Sequence, residues 1–371
     1  MGGIRETRPG NPAAAGRTRQ YEHSGAARPA RRPRTARDVG RTAVHSPLTS
    51  RGRRGLRPAL SLARVLAAAV ALAAALALTA CGDSDPLAGK GSCDTDTNQI
   101  TVGSANFPES ETVADLYAEV LRVNGFSVDT KLNIGSREAY VPALRNCSIS
   151  LIPDYTGNLL LYLDKSATAT SPADVDKALT AALGDQLAIA TPAPAQDSDA
   201  VVVTRATADR WNLTSIGDLA THSAEVKFAA PAEFQERPVG LPGLKKNYNL
   251  DIAAANFVPI GDGGGPATVR ALVDGQVTAA DIFTTSPAIA ENNLVVLTDP
   301  KNNFPAQNVV PLFNATKKSD KLIKVLDTLS AKLTTAELIS LNTAVSGASK
   351  TEPAAAAKAW IVAQGLDKPI A

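Results

Sequence analysis

Apolar residues alternate with polar ones, or recur at helical spacing, through most of the chain after residue 98. QITVGSANF alternates as a strand, and ETVADLYAEVLRVNG places Val113, Leu116 and Val120 at helical spacing before Gly125. FSVDTKLNIGS predicts a second strand, REAYVPALRN a helix, and SISLIPDYTG a third strand that closes on a turn. This β-α-β-α-β order is typical of an α/β lobe with a parallel sheet.

The same rhythm restarts after a predicted helix at 171–183 and the strands LAIATPAP and AVVVTR. Strands and helices alternate through SIGDLA, VKFAAPAEF, GLPGLKKNYNL, FVPIGDGGG, ATVRALVDGQ and VTAADIFTTSPAIAENN. NVVPLFNA predicts a last strand, and helices are predicted at 319–333, 335–341 and 353–365. The pattern therefore predicts an α/β fold with two lobes joined by crossing strands, and a ligand cleft at the hinge between the lobes.

A run of Ala, Val, Leu and Thr occupies residues 65–80, directly after a stretch with five arginines. A basic region, an apolar region and a small-residue boundary are the parts of an export signal. Sixteen helical residues rise about 24 Å, less than the ~30 Å hydrocarbon core, which disfavours a membrane span. Leu78-Thr79-Ala80-Cys81 resembles the lipobox of bacterial lipoproteins, in which the cysteine is acylated and becomes the first residue. An uncleaved anchor is the alternative, and either places the following chain outside the cytoplasm.

The charge balance changes sign at this apolar run. Residues 1–64 contain fifteen arginines against Glu6, Glu22 and Asp38, a net charge of +12, whereas the whole chain has +2. The chain after residue 64 therefore carries −10, so the basic total gives no indication of nucleic-acid binding. An RNA-binding arm is one interpretation of the basic extension, and a translation start further downstream is the other.

Composition and pattern together predict six segments. Residues 1–50 are rich in Arg, Pro, Gly and Ala with few periodic apolar positions, so we expect disorder there. The expected segments are 1–50, basic extension; 51–80, signal peptide; 81–97, lipid-anchored tether; 98–200, first part of lobe one; 201–305, lobe two; and 306–371, completion of lobe one.

Beyond Cys81 the chain has only two cysteines, Cys93 and Cys147. An even pair in an oxidising compartment predicts a disulfide, with two buried free thiols as the alternative. Two sulfurs without a nearby histidine fall short of the four ligands of a structural zinc site, so we predict no metal.

Sequence motifs for catalysis are absent from the exported part. Only His222 follows the apolar run, and neither H-E-x-x-H nor G-x-S-x-G occurs. GDGGGPATV, at 261–269, lacks the Lys-Ser/Thr of a phosphate loop and predicts a tight strand-to-helix connection with Pro266 in the first helical turn. The sequence therefore predicts a binding protein without catalytic residues or a cofactor. A secreted hydrolase or transferase on the same fold is the alternative.

Four segments in order resemble one family. VGSANFPES, IPDYTGN, FQERPVGLPGLKKNYNL and ALVDGQVTAADIFTTSPAI resemble motifs of the ProX-type osmoprotectant-binding lipoproteins of ABC importers, which take glycine betaine or choline. The likeness covers residues 99 to 365 and implies a two-lobed periplasmic-binding-protein fold of type II. It also implies a monomer, anchored at the outer face of the bacterial cytoplasmic membrane, that delivers a small-molecule ligand to a permease with a cytoplasmic ATPase. A binding protein for another polar or hydroxylated solute, and a sensor that signals by closing, are alternatives.

The resemblance also implies a ligand site. A quaternary ammonium group has no N–H donor, so aromatic faces hold it by cation–π attraction, while a carboxylate or hydroxyl on the ligand needs donors. Tyr155 matches a cage tyrosine of the family. By position in the matching segments, the other expected contacts are the rings of Phe107, Phe234 and Phe283, the polar groups of Ser104, Asn106, Thr156, Thr284 and Thr285, and Arg237 as a carboxylate clamp.

Core packing is the alternative role for each of the three phenylalanines, and Asp154 is expected to hold the turn at Tyr155. The chain departs from the family where an aromatic residue is frequent, because it has the polar segment 196–199 there. This thins the cage and leaves the identity of the ligand open. Asp197 or Asp199 in that segment is an alternative contact for a cation.

Overall fold

The computed structural model of the chain describes Cys93 and residues 95–370. The predicted basic extension, the signal peptide, Cys81 and most of the tether lie outside the described residues. Within the described part of the chain, no helix combines the length and the apolar character needed to cross a membrane.

Strands and helices alternate along the described residues, which confirms the predicted α/β class. The strands are β1 Gln99–Gly103, β2 Ser127–Lys131, β3 Leu151–Tyr155, β4 Leu187–Ile189, β5 Val201–Thr204, β6 Phe228–Ala230, β7 Phe257–Pro259, β8 Ala279–Asp281, β9 Leu294–Val296 and β10 Val309–Asn314. The helices are α1 Pro108–Val123, α2 Arg137–Arg145, α3 Thr156–Leu163, α4 Pro172–Ala182, α5 Arg205–Trp211, α6 Ile216–Ala220, α7 Leu241–Tyr248, α8 Pro266–Val273, α9 Ala288–Glu291, α10 Asp320–Ser330, α11 Thr335–Ser346 and α12 Pro353–Ala363.

Helix α1 shows how local sequence sets an element. Pro108 occupies the first turn, where its missing N–H costs nothing, and Glu109 lies there beside the positive end of the helix dipole. The predicted apolar stripe is fully buried, with Val113 and Leu116 both at 0 % exposure. The helix ends before Gly125, whose φ of 77° is left-handed.

The strands form two five-stranded sheets, which define two lobes. Lobe one is built on the sheet with the order β2-β1-β3-β10-β4, and lobe two on the sheet with the order β7-β6-β8-β5-β9. Each sheet has a parallel group, β2-β1-β3 and β7-β6-β8, but β10 and β5 run antiparallel to their neighbours. The parallel sheet predicted from the β-α-β-α-β order is confirmed for β2-β1-β3. The pattern gave no indication of the antiparallel strands, because β5 and β10 each enter their sheet after the chain has crossed from the other lobe.

The two crossing segments lie side by side. Gln196 and Asn308 form an isolated antiparallel bridge. The amide of Asp197 donates to the carbonyl of Gln307 at 3.0 Å, and the amide of Val309 donates to that of Ala195 at 3.0 Å. The chain thus leaves lobe one and returns to it at one place, which forms the hinge.

Apolar clusters cover both faces of each sheet. In lobe one, α1 packs with α10, α11 and α12 around fully buried Tyr117, and Trp360 donates its indole N–H to Glu337 at 2.6 Å. In lobe two, Phe228 and Phe234 stack at a ring-centroid distance of 5.6 Å. The large side chains therefore hold each lobe as a separate core.

The structure joins Cys93 and Cys147 by a disulfide, with Cα atoms 5.3 Å apart. This bond attaches the start of the described chain to the turn after α2. The sequence pattern missed three elements, namely α3, α5 and β9. It predicted a turn where α3 begins.

Candidate functional site

The carboxyl ends of the parallel strands in both lobes point towards the hinge. In open α/β sheets this end of the strands is where ligands bind. A cavity of about 190 Å³ lies between the lobes at this position, and we name it the cleft cavity. Its walls contain Ala105, Asn106, Phe107, Ser136, Arg137, Tyr140, Pro153, Tyr155, Asn158, Asp197, Asp199, Pro231, Glu233, Arg237, Gly261, Gly263 and Phe283.

Three aromatic rings follow one another along the cleft cavity. The ring of Phe107 lies 6.1 Å from that of Tyr155 in a tilted arrangement, and 5.4 Å from that of Phe283 in an edge-to-face arrangement. Tyr155 and Phe107 come from the ends of β3 and β1 in lobe one, whereas Phe283 follows β8 in lobe two. The row of rings therefore spans both lobes.

A second cavity of about 370 Å³ lies on the other side of Phe107 and Phe283, which line both spaces. Its walls include Glu109 and Asn342 from lobe one and Thr285 from lobe two. The pair of phenylalanine rings thus separates two cavities that both lie between the lobes.

Direct contacts join the lobes around the cleft cavity. The side-chain amide of Asn106 donates to the carbonyl of Gly261 at 2.9 Å, and Arg237 lies 3.1 Å from the carboxylate of Glu138. At Gly263, whose φ is 61°, a Cβ atom would lie 2.9 Å from the Cβ of Phe107. The absence of a side chain at Gly263 is therefore what lets Phe107 approach lobe two this closely.

A buried ion pair supports Tyr155 from behind. Arg137 Nη2 lies 2.6 Å from Asp154 Oδ1, and the hydroxyl of Tyr140 donates to the same carboxylate at 2.9 Å. The amide of Tyr155 donates to Asp154 Oδ1 at 2.7 Å. Asp154 is fully buried, so its role is to hold the turn, as expected, and the chain conformation at Tyr155 depends on it. Burial raises the pKa of Tyr140 well above its usual value, so this hydroxyl remains a donor.

A single buried carboxylate, Glu109, connects three parts of the chain. It accepts hydrogen bonds from the hydroxyls of Tyr155 and Thr285, each at 2.6 Å, and from the side-chain amide of Asn342. Beside it, Asp197 accepts from the amide of Thr285 at 2.9 Å. Burial, and then the charge of Glu109, raise the pKa of Asp197 well above its usual range.

A second pair of carboxyl groups lies on the lobe-two side. The side-chain amide of Asn158 donates to Asp199 Oδ2 at 2.7 Å, and the carboxyl of Asp281 lies beside Asp199. Asp281 is 2 % exposed. Burial, and then the charge of Asp199, raise the pKa of Asp281 well above its usual range. Both pairs place an acidic side chain of the hinge segment 196–199 in the wall of the cleft cavity.

Comparison with known proteins identifies the family. The family described as the substrate-binding domain of an ABC-type glycine betaine transport system matches residues 98–363. The chain belongs to this family. Its members are extracytoplasmic substrate-binding proteins of ABC importers and do not form an enzyme class.

Individual relatives agree with this membership. Over 222 residues the chain is 27 % identical to the glycine betaine-binding protein YehZ of Escherichia coli (strain K12), a match that covers 57 % of this chain and 73 % of YehZ. A solved glycine betaine/carnitine/choline ABC transporter structure superposes with a TM-score of 0.57 at 22 % identity, covering 72 % of this chain and all of that one. Lactococcal OpuAC in its closed form with glycine betaine gives a TM-score of 0.52 at 16 % identity, covering 72 % and 97 %. The fold is the predicted two-lobed periplasmic-binding-protein fold of type II.

Six of the ten residues expected to contact the ligand of this substrate-binding protein lie at the cavities. Asn106, Phe107, Tyr155, Arg237 and Phe283 line the cleft cavity. Thr285 lines the larger one.

The other four of the expected residues lie away from both cavity walls. Phe234 is 2 % exposed in the core of lobe two, which is the alternative role considered for it. Ser104 accepts from the amide of Asn133 at 2.8 Å. Thr156 accepts from the amide of Asn308 at 3.1 Å, and Thr284 from the amide of Ser198 at 3.1 Å. Each of these three hydroxyls accepts from a backbone amide, as is frequent for Ser and Thr at strand ends and turns, and that of Thr284 also donates to Asp197 Oδ1 at 3.3 Å.

Sequence reasoning missed several residues in the walls. Arg137 and Tyr140 follow β2, and Asn158 follows β3. Their place after parallel strands is a signal that was available, because all these strand ends share one edge of the sheet. Glu109 lies in the matching segment VGSANFPES, so the resemblance contained a signal for it that the expected contacts left out.

Proposed function

We propose that this protein captures a small quaternary ammonium osmoprotectant, such as glycine betaine or choline, in the cleft cavity and delivers it to an ABC permease driven by a cytoplasmic ATPase. The observation that carries the proposal is the row of rings from Tyr155, Phe107 and Phe283 along one cavity. An aromatic face attracts a quaternary ammonium group that no hydrogen-bond acceptor can hold. The family membership and the name of YehZ support the same class of ligand.

The dimensions and the energies support a small ligand that both lobes enclose. The cavity of about 190 Å³ is smaller than the roughly 300–1,000 Å³ of sites for drug-sized molecules. Three rings contribute about 1.5–6 kcal/mol, whereas micromolar affinity requires about 8 kcal/mol. Hydrogen bonds, charge and closure of the lobes supply the remainder, and Asn106 and Asn158 offer amide groups in the walls.

The proposal includes attachment to the membrane. Acylated Cys81 holds a monomer at the outer face of the cytoplasmic membrane after removal of the signal peptide, and residues 82–97 act as its tether. Lobe one comprises 98–200 and 306–371, and lobe two 201–305. Cys81 carries more than one acyl chain in this proposal, because a single chain binds a bilayer only marginally. The protein binds and releases its ligand without catalysis.

Calorimetry on the full chain purified in detergent tests this function. We expect saturable binding of glycine betaine, choline or carnitine, and at least tenfold weaker binding by the Tyr155→Ala variant, because it removes one of the three cage rings. Trp211→Ala is the matched control, since Trp211 stacks on His222 at 4.2 Å and lines neither cavity. Unchanged affinity in Tyr155→Ala would remove this ring from the site. Failure of every quaternary ammonium compound to bind would refute the function.

A further inference from the structure

The charges around the cleft cavity do not balance. Two arginines line it, and both are already engaged by carboxylates. Arg137 is 2.6 Å from Asp154, with both side chains at most 7 % exposed. Arg237 is 3.1 Å from Glu138 and 3.4 Å from Glu233. The first arginine is neutralised, and the second faces two negative groups.

Two further acid pairs add negative charge at the hinge. Asp199 lies beside Asp281, and Asp197 lies beside Glu109. Even when each pair keeps one proton, each retains one negative charge. The three carboxylates that contact the arginines and one charge from each acid pair then make five negative charges. The two arginines supply two positive ones.

This excess bears on the kind of ligand that the site accepts. Bringing an anion next to buried negative groups is costly, because neither water nor a free cation compensates it. A ligand cation in the same place gains from the attraction, and the three rings favour it as well. A zwitterion brings both effects, and they oppose each other.

We infer that the cleft cavity selects a solute with a net positive charge, a quaternary ammonium alcohol such as choline or another ammonium compound without a carboxylate, over the zwitterionic betaines. Asp199 is the residue that determines this choice. The inference rests on the proposed function, since it concerns which quaternary ammonium compound is preferred.

Asp199 is assigned this role because of its position within the acid pairs. It lines the cavity and is 7 % exposed, whereas its partner Asp281 lies outside the wall. The group that donates to it from the wall is the neutral amide of Asn158. Arg137 and Arg237 act on this pair electrostatically, but their hydrogen bonds go to Asp154, Glu138 and Glu233.

Choline and glycine betaine form a matched pair of probes, because each joins a trimethylammonium group to a short chain and only glycine betaine ends in a carboxylate. We expect calorimetry on the full chain to give a Kd for choline at least tenfold below that for glycine betaine. The Asp199→Asn variant keeps the shape of the side chain and an oxygen for Asn158, and we expect it to reduce this ratio at least fivefold. Asp185→Asn is the control, because it removes the same charge from an exposed position that lines neither cavity.

The outcomes separate the inference from the function on which it rests. A wild-type protein that binds glycine betaine as tightly as choline overturns the charge selection but leaves quaternary ammonium binding intact. A protein that binds neither refutes the proposed function, and the inference with it. An unchanged ratio in Asp199→Asn removes Asp199 as the determinant. Thermal unfolding checks that the variant is folded, and Asp199→Ser replaces it if it is not. The wild-type ratio decides on charge selection in either case.

Discussion

The two lobes share one plan but contribute different chemistry to the cleft. In each sheet the parallel group is followed by the strand that enters from the other lobe and then by a short outer strand. The end of β3 in lobe one carries Tyr155, and the end of β8 in lobe two leads to Phe283. The end of β2 leads to Arg137, whereas that of β7 leads to the glycine loop with Gly263. Equivalent positions therefore hold a buried ion pair in one lobe and bare backbone in the other.

This difference shows that the fold fixes where the ligand site lies, while the residues at the strand ends fix what it takes. Lobe one offers a rigid wall, since Arg137, Asp154 and Tyr140 are all buried. Lobe two offers a surface that comes close because it lacks a side chain at Gly263. Lobe one thus holds Tyr155 in a fixed position, and lobe two allows the close approach of the two lobes.

The two arginines of the cleft give the largest expected contrast. Arg137→Ala leaves Asp154 buried without its partner, and we expect a loss of about 3–5 kcal/mol of unfolding free energy. Arg237→Ala breaks contacts to a half-exposed Glu138 and to Glu233, and we expect less than about 1 kcal/mol. Urea unfolding of both variants measures the two losses. Equal losses would contradict the division into a rigid lobe one and a permissive lobe two.

The glycine loop gives the next contrast. Gly263→Ala forces a left-handed backbone on alanine, at about 1–2 kcal/mol, and pushes the new methyl group against Phe107. We therefore expect lower stability and at least fivefold weaker ligand binding, measured by urea unfolding and calorimetry. Gly184→Ala is the matched control, since Gly184 also has a left-handed φ, of 66°, but lines neither cavity and has no atom within 4 Å of its Cβ position. Wild-type affinity in Gly263→Ala would show that the close approach to Phe107 is not needed for binding.

The smallest contrast concerns pH. The pKa of one aspartate in lobe one is raised, whereas the pKa of one aspartate in lobe two is lowered. In α1, burial and then the charge of Glu111 raise the pKa of Asp115 from 3.8 to about 6, so its contribution to stability falls as the pH rises through this window. In α6, hydrogen bonds from Thr214 and Ser215 lower the pKa of Asp218 to about 2, so its contribution is lost as the pH falls from about 4 to 2.

We expect Asp115→Asn to gain about 1 kcal/mol relative to wild type between pH 4 and pH 7, after allowance for the solvent around this half-buried group. Asp218→Asn is the comparison, and we expect it to lose stability relative to wild type at pH 7. Urea unfolding at both pH values measures these differences. A gain for Asp115→Asn that is the same at pH 4 and pH 7 would show that ionisation of Asp115 is not its source.

Much of the fold was predictable because its periodic signals are local. The order from β1 to β3 and the long helix α1 follow from apolar spacing alone. Helix α3 was missed because Thr156, Gly157 and Asn158 have the composition of a turn. A Cβ at Gly157 would lie 2.5 Å from the carbonyl oxygen of Ala306, so packing against the returning segment determines this glycine, and helix propensity does not.

The candidate site was predictable in its rings and not in its charges. Phe107, Tyr155 and Phe283 lie in matching motifs, so the resemblance pointed to them. The acid pairs join residues far apart in sequence, as with Glu109 and Asp197, and no local pattern reports such a contact. Their positions depend on the crossing of the chain at the hinge, which single-segment patterns do not record.

The bridge between Gln196 and Asn308 has a consequence for how such proteins diversify. Since the outgoing and returning segments are neighbours, everything between them is an insertion with adjacent ends, and domain insertions of this kind are well tolerated. Recombination at these two points exchanges one half of the binding site and leaves the ends of the host lobe where they were. A lineage can thus acquire a new specificity by replacing one module, without evolving the other again.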